Sequence, residues 1–205
     1  MSVKIAAIPC GSYQANAYLI WREGREDCVL IDPGDDLERL RAALSGKKLG
    51  AILLTHGHFD HILGVQPLTE ATGAAAYIHP MDAEMLFDMD KSAYDVAASR
   101  LPPPRGLKAE ALGERFSACG LDFAVLHTPG HSRGSVCLYL EDEGELFSGD
   151  TLFEAGYGRV DLHGGDPRQM LSSLKALFAL PGETRVWPGH GGPTTIARER
   201  ARYRL

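Results

Sequence analysis

The chain has 205 residues, 44% hydrophobic and 23% charged, and its 21 Lys and Arg against 27 Asp and Glu give a formal charge of −6. This predicts a single domain over residues 1–205 with a full hydrophobic core, and excludes disorder, collagen and coiled coils. The acidic balance argues against nucleic-acid or anionic-membrane partners, no apolar run approaches the roughly 18–20 residues of a bilayer span, and Met1–Cys10 lacks a signal-peptide layout, so a cytoplasmic protein is expected.

In chain order, β-type runs come first at Val3–Ile8, Ala17–Trp21 and Cys28–Ile31. A turn at Asp32-Pro33-Gly34 leads into a helix over Asp36–Leu44, where Leu37, Leu40 and Leu44 fall at helical spacing. Strands follow at Ala51–Leu54 and Ala75–Ile78, then a breaker-rich surface loop, Leu101-Pro102-Pro103-Pro104-Arg105-Gly106. Further strands read at Leu121–Leu126, Ser135–Leu140, Glu145–Phe147 and Arg185–Trp187. A helix over Asp166–Leu180 opens on Asp then Pro, carries Met170, Leu171, Leu174, Leu177 and Phe178 as one apolar stripe, and stops at Pro181-Gly182. Thr194–Tyr203 reads as a last, arginine-rich helix. Early hairpins followed by strand–helix alternation predict a layered α/β fold with mixed sheets. Cys10, Cys28, Cys119 and Cys137 are scattered without C-x-x-C spacing, as expected of reduced thiols, with Cys137 a buried small hydrophobe.

One run dominates: Thr55-His56-Gly57-His58-Phe59-Asp60-His61. Imidazole nitrogen and carboxylate oxygen are ligands for zinc and iron. On a strand exit His56 and His58 point the same way, while Asp60 and His61 lie around the turn. Four donors so close crowd a single tetrahedral ion, so two neighbouring metals are expected. Downstream, strands run into His127-Thr128-Pro129-Gly130-His131, Ser148-Gly149-Asp150 and Pro188-Gly189-His190. Four times an apolar strand thus ends in a glycine-bearing turn with His or Asp, and sites collect on such strand-end loops.

With these motifs, plus Asp32-Pro33-Gly34, Thr151-Leu152-Phe153 and Gly158-Arg159, the chain resembles the metallo-β-lactamase-fold hydrolases over nearly its whole length. It is most similar to the glyoxalase II (hydroxyacylglutathione hydrolase) group and its short single-domain relatives. The resemblance implies a four-layer αββα sandwich of two mixed sheets. It implies one metal on His56, His58 and His131, a second on Asp60, His61 and His190, and Asp150 bridging them. Two zinc ions per chain are expected, with iron or manganese as alternatives. The implied reaction is attack of a metal-bridging hydroxide on a small thioester such as S-lactoyl-glutathione, with Asp60 also orienting the nucleophile or passing on its proton. No serine or cysteine nucleophile is required, so Ser132, Ser148 and Cys10 are not expected to act covalently.

The resemblance also makes Arg159 a substrate contact. Asp161 stands where an aromatic usually assists, which would repel an anionic thiol carrier, and there is no room after His190 for the C-terminal helical domain of two-domain members. Asp32 is implied as a brace for the metal loops. His127 is expected to play a supporting role, and His79 and His163 to be turn or surface histidines. Arg198, Arg200, Arg202 and Arg204 read as a solvated helix end. Competing functions are a persulfide dioxygenase with one Fe(II) on His56, His131 and Asp150, hydrolysis of a lactone, β-lactam or phosphodiester, and a non-catalytic metal-binding module.

Overall fold

The structure is a computed structural model and describes residues 2–203. The first sheet runs in the order β1 (Val3–Cys10), β2 (Ala15–Arg22), β3 (Asp27–Ile31), β4 (Lys48–Leu53), β5 (Ala75–Ile78), β6 (Ala109–Ala111). Its first three strands pair antiparallel and the rest parallel. The second sheet is ordered β12 (Thr194–Thr195), β11 (Arg185–Pro188), β10 (Glu145–Gly149), β9 (Val136–Leu140), β8 (Leu121–His127), β7 (Arg115–Ala118). Only β10 and β11 are parallel in it. Both sheets are mixed, as expected.

Side-chain alternation explains why the central strands are apolar on both faces. Tyr18, Ile20, Val29, Ile31, Ala51 and Leu53 point inward and meet Phe123, Val136, Leu138, Leu140 and Phe147 of the other sheet. Their neighbours Ala17, Leu19, Cys28, Leu30 and Ile52 face out against α1 (Leu37–Ala43), α2 (Phe59–Ile62) and α3 (Val65–Thr72), through Leu40, Ile62, Val65 and Leu68. On the far side, Cys137, Tyr139, Leu146 and Val186 pack on α4 (Pro167–Leu177) and α5 (Ile196–Tyr203), through Met170, Leu174, Leu177 and Ile196. The result is helix, sheet, sheet, helix. Among the described residues no helix is long and apolar enough to cross a membrane.

The expected cap at Asp166 is present, accepting from Arg168 and Gln169 N–H, and Asp36 caps the first helix by accepting from Arg39 N–H. Some expectations are corrected. Leu171 is exposed, because it lies about 100° around the helix from Met170. Thr194–Thr195 is a short edge strand, so the last helix begins at Ile196. Of the arginines there, Arg198 pairs with Glu154, Arg200 bonds the Phe178 carbonyl and Arg202 faces Glu199, while Arg204 lies outside the described residues. The edge strands β6 and β7, the helices α2 and α3, and a 3-10 turn at Pro80–Leu86 were not foreseen. Short edge strands and one-turn helices take their conformation from neighbours more than from their own pattern.

Candidate metal centre

The predicted donors come from five strand exits on one rim of the sandwich. Asp32 follows β3, His56 to His61 follow β4, His131 follows β8, Asp150 follows β10 and His190 follows β11. The structure brings all seven expected ligands together. The ligand atoms of His56, His58 and His131 lie within 4.8 Å of one another, and so do those of Asp60, His61 and His190. Asp150 stands between the groups: Oδ1 is 3.5 Å from His61 Nε2, and Oδ2 is 3.5 Å from His131 Nε2 and 3.6 Å from His190 Nε2.

The ring orientations follow from what holds each outer nitrogen. His131 Nδ1 faces the Arg159 carbonyl at 2.7 Å, and His190 Nδ1 faces the Tyr13 carbonyl at 3.1 Å. His61 Nδ1 faces Asp32 Oδ2 at 3.1 Å. The Thr55 hydroxyl donates to Asp32 Oδ2 at 2.6 Å, so its lone pair takes the Nδ1 hydrogen of His56 at 3.0 Å. These oxygens hold the Nδ1 side of four rings outward and turn their Nε2 atoms into the site, a pattern that orients histidines at metal centres. His58 is reversed, with Nδ1 2.7 Å from His131 Nε2. Asp32 joins His56 and His61 in a third cluster. It already accepts the Thr55 N–H, the Thr55 hydroxyl and His61, so it acts as a brace.

Among the described residues, the buried side-chain atoms with no hydrogen-bond partner include His56 Nε2, His58 Nε2 and Asp150 Oδ1. Orphaned polar atoms are rare inside proteins. Their clustering here, with a donor set of imidazoles and carboxylates, fits a site built for cations.

The electrostatics divide the two groups. Burial, reinforced by the neighbouring imidazoles, drives His56 well below the ordinary histidine range, and burial with His131 beside it takes His58 to about 3. Burial also works against the charge of His61, but Asp60, Asp150 and Asp32 outweigh it and hold His61 up at about 10. His190 is raised against burial by Asp60 and Asp150. Asp60 is likewise disfavoured by burial, yet His61 and His190 pull it well below the carboxylate range. In the first group His56 and His58 are neutral imidazoles; the second is a charge-paired set.

The site opens into a cleft of about 420 Å³ walled by Tyr13, Phe59, Asp95, Phe153, Arg159 and Leu162. Arg159 is at the rim, but its guanidinium is tied twice to Asp161 at 2.7 Å. Asp161 therefore engages the arginine itself. His127 stacks on His79 with ring centroids 4.4 Å apart, and His163 faces Glu84; none of the three is in a metal-holding group among the described residues. Ser148 donates to the Leu152 carbonyl and Ser132 to Asp82, which leaves neither poised as a nucleophile.

Two supports had no sequence signal. Asn16 of β2 donates through Nδ2 to the carbonyls of Pro188 and Gly191, and its N–H bonds the Gly189 carbonyl at 2.7 Å, locking the His190 turn to the opposite sheet. Buried Asp82 ties the His56–His58 run to the turn after His131. An asparagine next to a strand and an aspartate after a proline are too common to stand out.

Residues 10–190 match the family described as the Metallo-beta-lactamase superfamily. The hydroxyacylglutathione hydrolase GloC of Haemophilus influenzae is 32% identical over 205 residues, covering 97% of this chain and 95% of that protein. A solved structure of TTHA1623 in a di-iron-bound form is 43% identical, covers 96% of this chain and 97% of its own, and superposes with a TM-score of 0.86. The B3 metallo-β-lactamase BLEG-1 is 36% identical over 97% of both chains, with a TM-score of 0.85. With two mixed sheets between helical layers and a His/Asp cluster at one rim, the chain belongs to the metallo-β-lactamase superfamily.

Proposed function

We propose that this chain is a hydrolase with a dinuclear metal centre that cleaves a small thioester of the hydroxyacylglutathione type. The observation that carries the reading is the Asp150 carboxylate, whose oxygens lie within 3.6 Å of histidines of both groups. His56, His58 and His131 would hold one ion, Asp60, His61 and His190 the other, and Asp150 both. Zinc is the proposed metal, with iron or manganese as alternatives. Bound there, the ions would supply Lewis acidity toward a carbonyl oxygen and lower the pKa of water toward neutrality.

The chain's own residues do the rest. Asp60, held ionised, lines the cleft and accepts a hydrogen from a reacting water. Phe59, Phe153 and Leu162 keep the acyl group out of bulk water. Arg159 contacts the thiol carrier once its pair with Asp161 opens. The likeness to GloC supports a thioester, and the cleft volume suits a small molecule. The net charge of −6 supports neither a nucleic-acid nor a membrane partner, and a cytoplasmic location is part of the same proposal.

The test is metal analysis of the purified protein coupled to a panel of thioesters with different thiol carriers, a lactone and a β-lactam, with O₂ uptake followed on a persulfide. Two metals per chain with thioester turnover is the expected result. One iron with O₂ consumption would overturn it in favour of a dioxygenase, and preferential β-lactam turnover would align the chain with BLEG-1 instead.

A further inference from the structure

His58 and His131 are 73 positions apart, yet His58 Nδ1 sits 2.7 Å from His131 Nε2. One backbone bond, Val136 N–H to the Thr55 carbonyl at 2.8 Å, joins the two segments directly. Three more links converge on Asp82, which is buried in the 3-10 turn Pro80–Leu86. Its Oδ2 accepts Gly57 N–H at 3.2 Å and the Ser132 hydroxyl at 2.5 Å, and its Oδ1 accepts Gly134 N–H at 2.6 Å. Gly57 separates His56 from His58, and Ser132 follows His131. The approach is close enough to require glycine. A Cβ on Gly134 would sit 2.8 Å from Asp82 Oδ1, and one on Gly57 would sit 2.5 Å from Met85 Cβ on the same turn.

We propose that Asp82 is a positioning residue: its carboxylate clamps the two loops and so sets the separation of His58 from His131, leaving the Asp60–His61–His190 side to other supports. Each named donor is neutral, so the carboxylate is held by three convergent hydrogen bonds, and charge-assisted bonds of this kind are strong and directional. The other group is held independently by Asp32 on His61 and by Tyr13 and Asn16 at the His190 turn. The link to metal binding rests on the dinuclear reading above; the spacing role does not.

Two measurements separate these. In the metal-free protein, long-range ¹H–¹⁵N spectra report each imidazole. Asp82→Asn, which keeps the shape and one acceptor but puts an NH₂ where donors converge, is expected to move the ring signals of His58 and His131 and leave those of His61 and His190 in place. All four rings moving together, or none moving, would overturn the proposal. In cobalt(II) titrations the wild type is expected to take two equivalents, and Asp82→Asn to weaken one of them about 10- to 100-fold, as for other residues that orient ligands. Equal weakening of both equivalents would mark a general structural loss and also overturn it. Failure of the wild type to bind cobalt sinks the dinuclear reading, and the imidazole spectra still decide the role of Asp82. Ser132→Ala, which removes one link, is expected to reproduce the same pattern of ring shifts at smaller amplitude should Asp82→Asn fail to fold.

Discussion

Asp32 Oδ2 lies 3.1 Å from His61 Nδ1 and 2.6 Å from the Thr55 hydroxyl, which itself faces His56 Nδ1. One buried carboxylate oxygen therefore orients a histidine in each group. The backbone of Asp32 is left-handed, with φ of 47°, an unfavourable conformation for a non-glycine residue that the site retains. Asp32→Ala strands the Thr55 N–H and frees both rings. The expected outcome is a stability loss of about 1–3 kcal/mol and a roughly 10- to 100-fold loss of metal affinity, checked by thermal unfolding and chelator competition.

Metal loading is expected to release a proton at pH 7, and to release it from His61. His56 and His58 are already neutral there, the latter with its pKa at about 3. His61, held up at about 10, carries a proton that must leave before its Nε2 ligates. A group raised in the metal-free fold binds metal more tightly as pH climbs toward its pKa, so affinity at Asp60, His61 and His190 should rise about tenfold per pH unit between 7 and 10. Calorimetry in buffers of differing ionisation enthalpy reads the released proton; heats independent of buffer would contradict the charge-paired set.

Gly189 packs against the Asp150 carboxylate. A Cβ there would overlap Asp150 Oδ1 and lie 2.9 Å from His61 Cε1. Gly189→Ala should therefore displace Asp150, with loss of at least one metal equivalent and turnover reduced 100-fold or more, on the order expected when a reacting centre shifts by about 1 Å. Metal stoichiometry and kcat together check it.

Removing the amide of Asn16 leaves the carbonyls of Pro188 and Gly191 without their Nδ2 donor. Asn16→Ala is expected to cost about 1–3 kcal/mol and to loosen His190, which would appear as a denaturant midpoint shift together with weaker binding of one metal.

The thiols give a separate check on the core. Burial pushes Cys10 and Cys137 up to about 11 and Cys28 to about 12. All are protonated and enclosed at pH 8, while Cys119 is half-buried. Iodoacetamide should modify at most Cys119 in the native protein and all four thiols after denaturation, counted by mass.

The candidate metal-holding side chains were legible as a cluster because their chemistry is carried by residue type at close spacing. His56 to His61 announce themselves, and His131, Asp150 and His190 each follow an apolar strand and a glycine. The strands were legible because faces buried on both sides demand long apolar runs. Asp82 and Asn16 were not, since their work is done on backbone groups far away in sequence, and any segment offers such groups. The same holds for the Tyr13 and Arg159 carbonyls that orient His190 and His131. The order of residues by itself determined which atoms can bind a cation and that they sit at strand exits, because donor type and apolar periodicity are local properties. Only the tertiary structure decided that they form two groups sharing Asp150, which nitrogen of each ring faces inward, and that Arg159 meets Asp161, because those depend on hydrogen bonds closed between loops that the two packed sheets bring to one rim.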